Sequence, residues 1–232
     1  MATLTLQQGV SSYTGTTDNH IFQFRSYNSG ANTELYIGAG TGGSPSTDRK
    51  YSLIKFDLSG QGFTGTETVT SATLKLKFTA FDNGANTKTH AIAALRRPFG
   101  EGVGTGKDGS VALTGESTWS EYQKPSTWTT VGAQDTTDDR YNADSSTSVP
   151  MTTTAGTVIT WDVTTSVQNF INSTWTNNGW VLYTTSGDTA NGSSKYHSRN
   201  AATATDRPIL EIVYTTGAGA TATAAFFLML MD

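Results

Sequence analysis

The stretch TSATLKLKFTA (residues 70–80) decides the fold. Ala72, Leu74, Leu76 and Phe78 alternate with Thr73, Lys75, Lys77 and Thr79. Side chains of an extended chain point to opposite faces in turn, so this is a strand with one buried and one wet face. Three neighbours read the same way. YSLIKFDL (51–58) sets Ile54, Phe56 and Leu58 on one face, WVLYTT (180–185) is a short strand, and PILEIVY (208–214) groups Leu210, Ile212 and Tyr214. Between them lie DNGAN (82–86), NNG (177–179) and SGDTANGSS (186–194), rich in residues that tolerate positive φ. Many short strands joined by long polar loops predict an all-β, jelly-roll-like β-sandwich.

One segment departs from that period. In WDVTTSVQNFIN (161–172), Val163, Val167, Phe170 and Ile171 recur at helical spacing with Thr164 as an N-cap, which predicts a helix of about two turns plugging an open end of the sandwich. Residues 100–149 are poor in apolar side chains and read as a long loop, the kind that persists in a compact domain when it is functional. Trp119 and Trp128 are placed to pin it down. After Thr216 come a Gly/Ala/Thr linker, 217–225, and an apolar tail, 226–232.

Of the 232 residues, 35% are hydrophobic, enough for one sizeable core, and we assign residues 1–216 to a single domain. The formal charge is −4 and the 15 Lys and Arg are scattered, which argues against a nucleic-acid or anionic-lipid partner. There is no cysteine, so disulfides, zinc-thiolate sites and cysteine nucleophiles are excluded. Residues 1–20 show no basic n-region and no apolar h-region, from which we expect a chain made and folded in a cytoplasm. The tail is too short for a membrane span, which needs about 20 apolar residues.

Several stretches, in order, resemble the DNRLRE-domain family, β-sandwich modules related to an alginate-associated carbohydrate-binding module family. They are TLTLQQGVSSYTGTTD with TELYIGAG, YSLIKFDLSG, TSATLKLKF, STWSEYQKPSTW, ITWDVTTSVQNFINSTWTNNGWVLY and SKYHSRNAATATDRPILEIVY, spanning 3–214. The resemblance implies a non-catalytic jelly-roll-like sandwich of extracellular or virion surfaces whose binding members take polysaccharide. Asn200 stands where an acidic residue is common in similar segments, and the family does not account for residues 217–232.

The candidate chemistry is sparse. Asp57 in FDLS and Asp162 in WDVT could be a carboxylate pair flanking a glycosidic bond at ~5–10 Å, but an Asp before a hydroxyl residue more commonly shapes a turn or caps a helix. His20, His90 and His197 lack the close partners of a metal motif. The acidic segment AQDTTDDRYNAD offers Asp135, Asp138 and Asp139, with Asp144, as candidate Ca²⁺ ligands, against the commoner reading of solvated loop acids. No other cofactor is expected. Trp119, Tyr122, Trp128 and Trp175 are candidate glycan-stacking rings, with burial as the alternative for each.

Phe226, Phe227, Leu228, Met229, Leu230 and Met231 are candidate docking residues, since six exposed apolar side chains are an aggregation hazard unless a partner covers them. Together these features lead us to expect a non-enzymatic display protein: a phage virion decoration, fibre or tail appendage, oligomeric, docked by its tail and touching host polysaccharide. The alternative is a secreted carbohydrate-binding module or an adhesin or filament subunit; a glycan-cleaving enzyme acting through Asp162 comes third.

Overall fold

The computed structural model describes residues 1–23, 25–40, 48–82, 88–106, 111–150, 152–186 and 192–216. The predicted tail residues Phe226–Met231 and the linker before them lie outside the described residues. In chain order the strands are β1 (Ala2–Gln7), β2 (Thr16–Phe22), β3 (Glu34–Gly40), β4 (Asp48–Phe56), β5 (Thr68–Asp82) and β6 (Lys88–Leu95). There follow β7 (Glu121–Gln123), β8 (Ser126–Thr127), β9 (Arg140–Val149), β10 (Val158–Asp162), helix α1 (Thr164–Ile171), β11 (Trp180–Ser186), β12 (Gly192–His197) and β13 (Ile209–Thr215). This is the all-β, sandwich-like fold expected, with one short helix.

Strand β5, the stretch that opened the sequence reading, holds the two layers together. Its first half pairs with β13 over Thr68–Lys75 and with β10 over Thr73–Lys77, while Phe78–Asp82 pairs with β12. One layer is therefore β1-β13-β5-β10, and the other runs from the end of β5 through β12-β3-β4-β11-β6-β9. β2 lies on the remaining edge of β4, because it faces Lys50 and Ser52–Ile54 opposite β3 and β11 in turn. All these pairings are antiparallel. The layers meet again where β9 hydroxyls reach β10 carbonyls: Ser145 Oγ donates to Asp162 O at 2.8 Å and Thr147 Oγ1 to Thr160 O at 2.6 Å.

The alternation predicted for β5 is the one observed. Ala72, Leu74, Leu76 and Phe78 are buried between the layers with Ile54, Phe56, Trp161, Trp180, Leu210 and Ile212. The second layer is buried on its outer face as well. Ile21, Tyr51, Leu53, Ala91, Ala93, Leu95, Val181 and Tyr183 form a smaller core there, closed by Trp119, Trp128 and Ala133. Its cover is the segment between β6 and β9, so the long polar loop predicted for 100–149 is corrected in two respects. Its last ten residues are strand β9, and the described residues before them form a packed lid carrying the β7–β8 ribbon.

Helix α1 falls where its spacing put it, burying Ser166, Val167, Phe170 and Ile171. Its N-cap is Val163, not the predicted Thr164, which is the first helical residue. Thr164 is held from behind instead: its N–H and hydroxyl both donate to Asp162 Oδ1, at 2.9 and 2.6 Å, while its Oγ1 accepts Ala72 N–H at 2.9 Å. Gln168 ties the helix to the start of β5, accepting Val69 N–H at 2.7 Å and donating to Glu67 O at 3.0 Å. No helix among the described residues is long and apolar enough to cross a membrane.

Candidate functional site

The end of the sandwich closed by α1 gathers the surface features that can hold a partner. β4 ends there at Phe56, β11 starts there at Trp180, and β13 delivers the chain there at Thr215, opposite Thr68. A cleft of about 280 Å³ opens beside the helix, lined by Lys55, Asp57, Leu58, Ser59, Phe63, Phe170, Ile171 and Asn177. Its lining is half apolar and half polar. A second hollow of about 220 Å³ shares Asp57 and Ser59 and continues over Ser12–Gly15 and Gln61.

The wall between them is a local device. Asp57 Oδ1 accepts Ser59 N–H and Oδ2 accepts Ser59 Oγ, both at 2.9 Å, which is the turn-shaping role expected of an Asp before a hydroxyl residue. On the far side the Glu67 carboxylate gathers the backbone N–H groups of Thr64, Gly65 and Thr66 and the Thr64 hydroxyl, fixing the loop that carries Phe63. Phe63 packs edge-on against Tyr214 at 5.1 Å between centroids, so the cleft adjoins the last strand of the domain. Asn177 donates to Phe56 O at 2.8 Å and accepts Gly179 N–H at 3.2 Å. Gly179 has φ +80°, and a Cβ there would meet Ile54 O at 2.3 Å, so the turn needs glycine.

The same turn carries a ledge of planar groups. Trp175 stacks on Tyr141 at 3.6 Å and 12°, and the Arg96 guanidinium lies 3.8 Å from the Tyr141 centroid. Asn178 donates to Arg96 O at 2.8 Å, tying ledge to turn. Trp175 and Tyr141 are half-buried and Arg96 is exposed.

The other predicted rings are placed differently. Trp119 and Trp128 are only 5% and 3% exposed, and the Trp128 indole N–H donates to Thr118 O at 3.1 Å. Trp119 packs on Tyr51 at 4.9 Å. Both rings face the sheet and, with Ala133, close the outer core of the second layer, so an exposed glycan-stacking face is corrected to a buried one for these two. Tyr122 is half-buried against Trp128 at 5.7 Å, with the Arg97 guanidinium over it at 5.2 Å. The four rings are not brought together: three lie in the lid and Trp175 at the α1 end.

The acidic residues are likewise dispersed. Asp139 is fully buried and filled by donors: Oδ1 accepts Thr129 N–H at 2.9 Å and Arg97 Nε–H at 3.1 Å, and Oδ2 accepts Thr130 N–H at 2.8 Å. Asp135 Oδ1 accepts the N–H groups of Thr137 and Asp138, each at 2.8 Å. Asp138 is exposed, and Asp144 lies on β9, where burial raises its pKa to about 6. Asp139 is thus an internal latch of the lid, and no cluster of three or more His, Asp or Glu suited to a metal occurs among the described residues. His20 and His90 are buried in separate places, each held neutral by burial with its pKa lowered to about 3.

A third hollow, about 470 Å³, lies over the lid between Arg25, Ser26, Thr118, Ser120, Glu121 and Lys124. Its cations are engaged: Lys124 donates to Ala112 O at 3.0 Å and Arg25 stands 4.0 Å from Asp48. Asn200, where an acid was expected from the resemblance, donates to Gly30 O at 2.8 Å and to Asn32 O at 3.3 Å, which a carboxylate could not do. No protein-family model matches the chain. A comparison with curated proteins finds no match either.

Proposed function

We propose that this chain is a non-enzymatic display protein, a rigid β-sandwich held on a larger assembly through its C-terminal segment. The observation that carries the reading is the state of β13 where the domain ends. That strand is paired on both edges, by β1 and by β5, so β13 itself offers no free edge to a further segment. On this reading those six apolar residues serve as a peg, adding to a sheet edge or filling a groove of another subunit. The setting we infer is a bacteriophage virion, with the sandwich as a decoration, fibre or tail appendage, and a DNRLRE-like domain suits that role.

Deleting Phe226–Met231 is expected to abolish co-assembly with the source particle, measured by light scattering and co-sedimentation, while circular dichroism stays that of a folded β protein. Assembly that survives the deletion would rule out the peg.

A second reading, a carbohydrate-binding module or adhesin subunit, draws on the Arg96–Tyr141–Trp175 ledge, whose planar groups suit stacking against a sugar face. Affinity electrophoresis in acidic and neutral polysaccharides checks it. Trp175→Ala is expected to weaken retardation about five- to tenfold, the equivalent of ~1–1.4 kcal/mol for one lost ring contact. Equal mobility of variant and parent in every gel would remove the ledge from consideration.

A further inference from the structure

We propose that the cleft beside α1 is the resting place of the chain's own C-terminal segment, which folds back into it until an assembly partner takes that segment. The proposal rests on the docking role given above to Phe226–Met231 and names where those residues go when no partner is present.

The exit of the domain and the cleft are neighbours. Tyr214 touches Phe63, and Phe63 forms one wall of the cleft. From Thr216 the small residues 217–225 span at most about 30 Å at 3.3–3.6 Å per residue, more than enough to turn back over a wall one aromatic ring away.

The chemistry matches as well. Leu58, Phe63, Phe170 and Ile171 line the cleft together with Lys55, Asp57, Ser59 and Asn177, so it offers both apolar contacts and polar groups. A volume of about 280 Å³ equals the share of roughly nine waters at ~30 Å³ each, room for one bulky apolar side chain and part of its neighbour. A nine-residue tether supplies an effective concentration on the order of mM, so at micromolar protein the chain's own segment outcompetes a second copy's. Capture would cover part of an apolar run that otherwise invites aggregation.

The absence of cysteine makes the test direct. Lys55→Cys in the cleft lining is combined with Leu228→Cys in the full-length chain. The control pair is Thr5→Cys with Leu228→Cys, Thr5 being exposed on β1 next to β13 and within reach of the same tether. At micromolar protein under mild oxidant, the cleft pair is expected to close an intramolecular disulfide at least tenfold faster than the control. Adding Phe63→Ala should bring the rate down to the control's, with circular dichroism verifying the fold of each variant.

Equal rates for the two pairs would overturn the proposal, and so would disulfide-linked dimers as the main product, which would make a second copy the occupant. Failure of the docking reading shows separately, as co-assembly that survives deletion of Phe226–Met231 whatever the disulfide rates.

Discussion

Asp139→Ala is expected to lower stability by about 3–5 kcal/mol and to free the lid from the outer face of the second layer. The size follows from what the carboxylate holds. It is fully buried and receives Thr129 N–H, Thr130 N–H and the Arg97 guanidinium. Removing one partner of a buried charged pair costs ~3–5 kcal/mol, because the other donors keep their desolvation penalty without its return. Arg97 is partly solvated, with 31% of its side chain exposed, so the larger share falls on the two backbone N–H groups.

The consequence is more than local. The lid carries Trp119 and Trp128, each burying on the order of 150–250 Å², and beneath them lie Tyr51, Leu53, Val181 and Tyr183. Loosening the latch wets that face. Denaturant unfolding should show the loss, tryptophan emission should shift to the red before the main transition, and limited proteolysis should cut between residues 97 and 139. A midpoint within 1 kcal/mol of the parent, with unchanged emission, would show that the Trp contacts hold the lid without Asp139.

The elements that could be read from sequence were those with one wet face. β5 alternates because its lysines and threonines look outward while Leu74 and Leu76 look in, and β13 does the same through Leu210 and Ile212. β6 gave no such pattern, since Ala91–Leu95 is apolar throughout. A continuous apolar run marks a strand buried on both faces, and read that way HAIAAL would have announced the second core. β9 stayed hidden for the opposite reason: RYNADSSTSV has almost no apolar alternation, and its hydroxyls serve the β10 seam.

Residue identity also could not say which way an indole faces. Trp119 and Trp175 both lie in polar surroundings along the chain, yet one is sealed under the lid and the other stands at a rim. The cleft was out of reach of any local reading. Its apolar lining comes from Leu58, Phe63 and the end of α1, brought together only when β4, the helix and β11 meet at one end.

Asp18→Asn is expected to stabilise the protein at pH 8, by on the order of 2–4 kcal/mol, with the gain disappearing near pH 4. Asp18 is buried on β2, where Glu101 Oε1 accepts its N–H at 2.8 Å and its own Oδ2 accepts Arg199 N–H at 2.6 Å. Arg199 meanwhile forks onto Glu101, with Nη2 donating to Oε2 at 2.8 Å and Nε to Oε1. Arg199 thus meets both acids, Asp18 through its backbone N–H and Glu101 through its guanidinium. Burial, helped by the charge of Glu101 and opposed by Arg199, raises the Asp18 pKa from 3.8 to about 7.

A carboxyl with a raised folded-state pKa favours the fold while protonated. Its contribution is whole below pH 3.8 and is lost as pH climbs through about 7. About three pH units at 1.36 kcal/mol each set the ceiling near 4 kcal/mol. Asparagine keeps an oxygen for Arg199 N–H and carries no charge, so it escapes the loss and leaves the Arg199 guanidinium on Glu101 as before.

His20 and His90 act in the other direction. Their lowered values mean stability that is present above pH 6.5 and falls as the medium acidifies toward pH 3. They are the same in both proteins, so the difference between parent and variant across pH 4–8, by denaturant midpoint, isolates the carboxylate pair. A difference that stays constant with pH, or a variant weaker than the parent throughout, would mean that Asp18 is ionised and held by Arg199 at every pH tested. The lid end of β2 would then be closed around an ionised Asp18 rather than a protonated one.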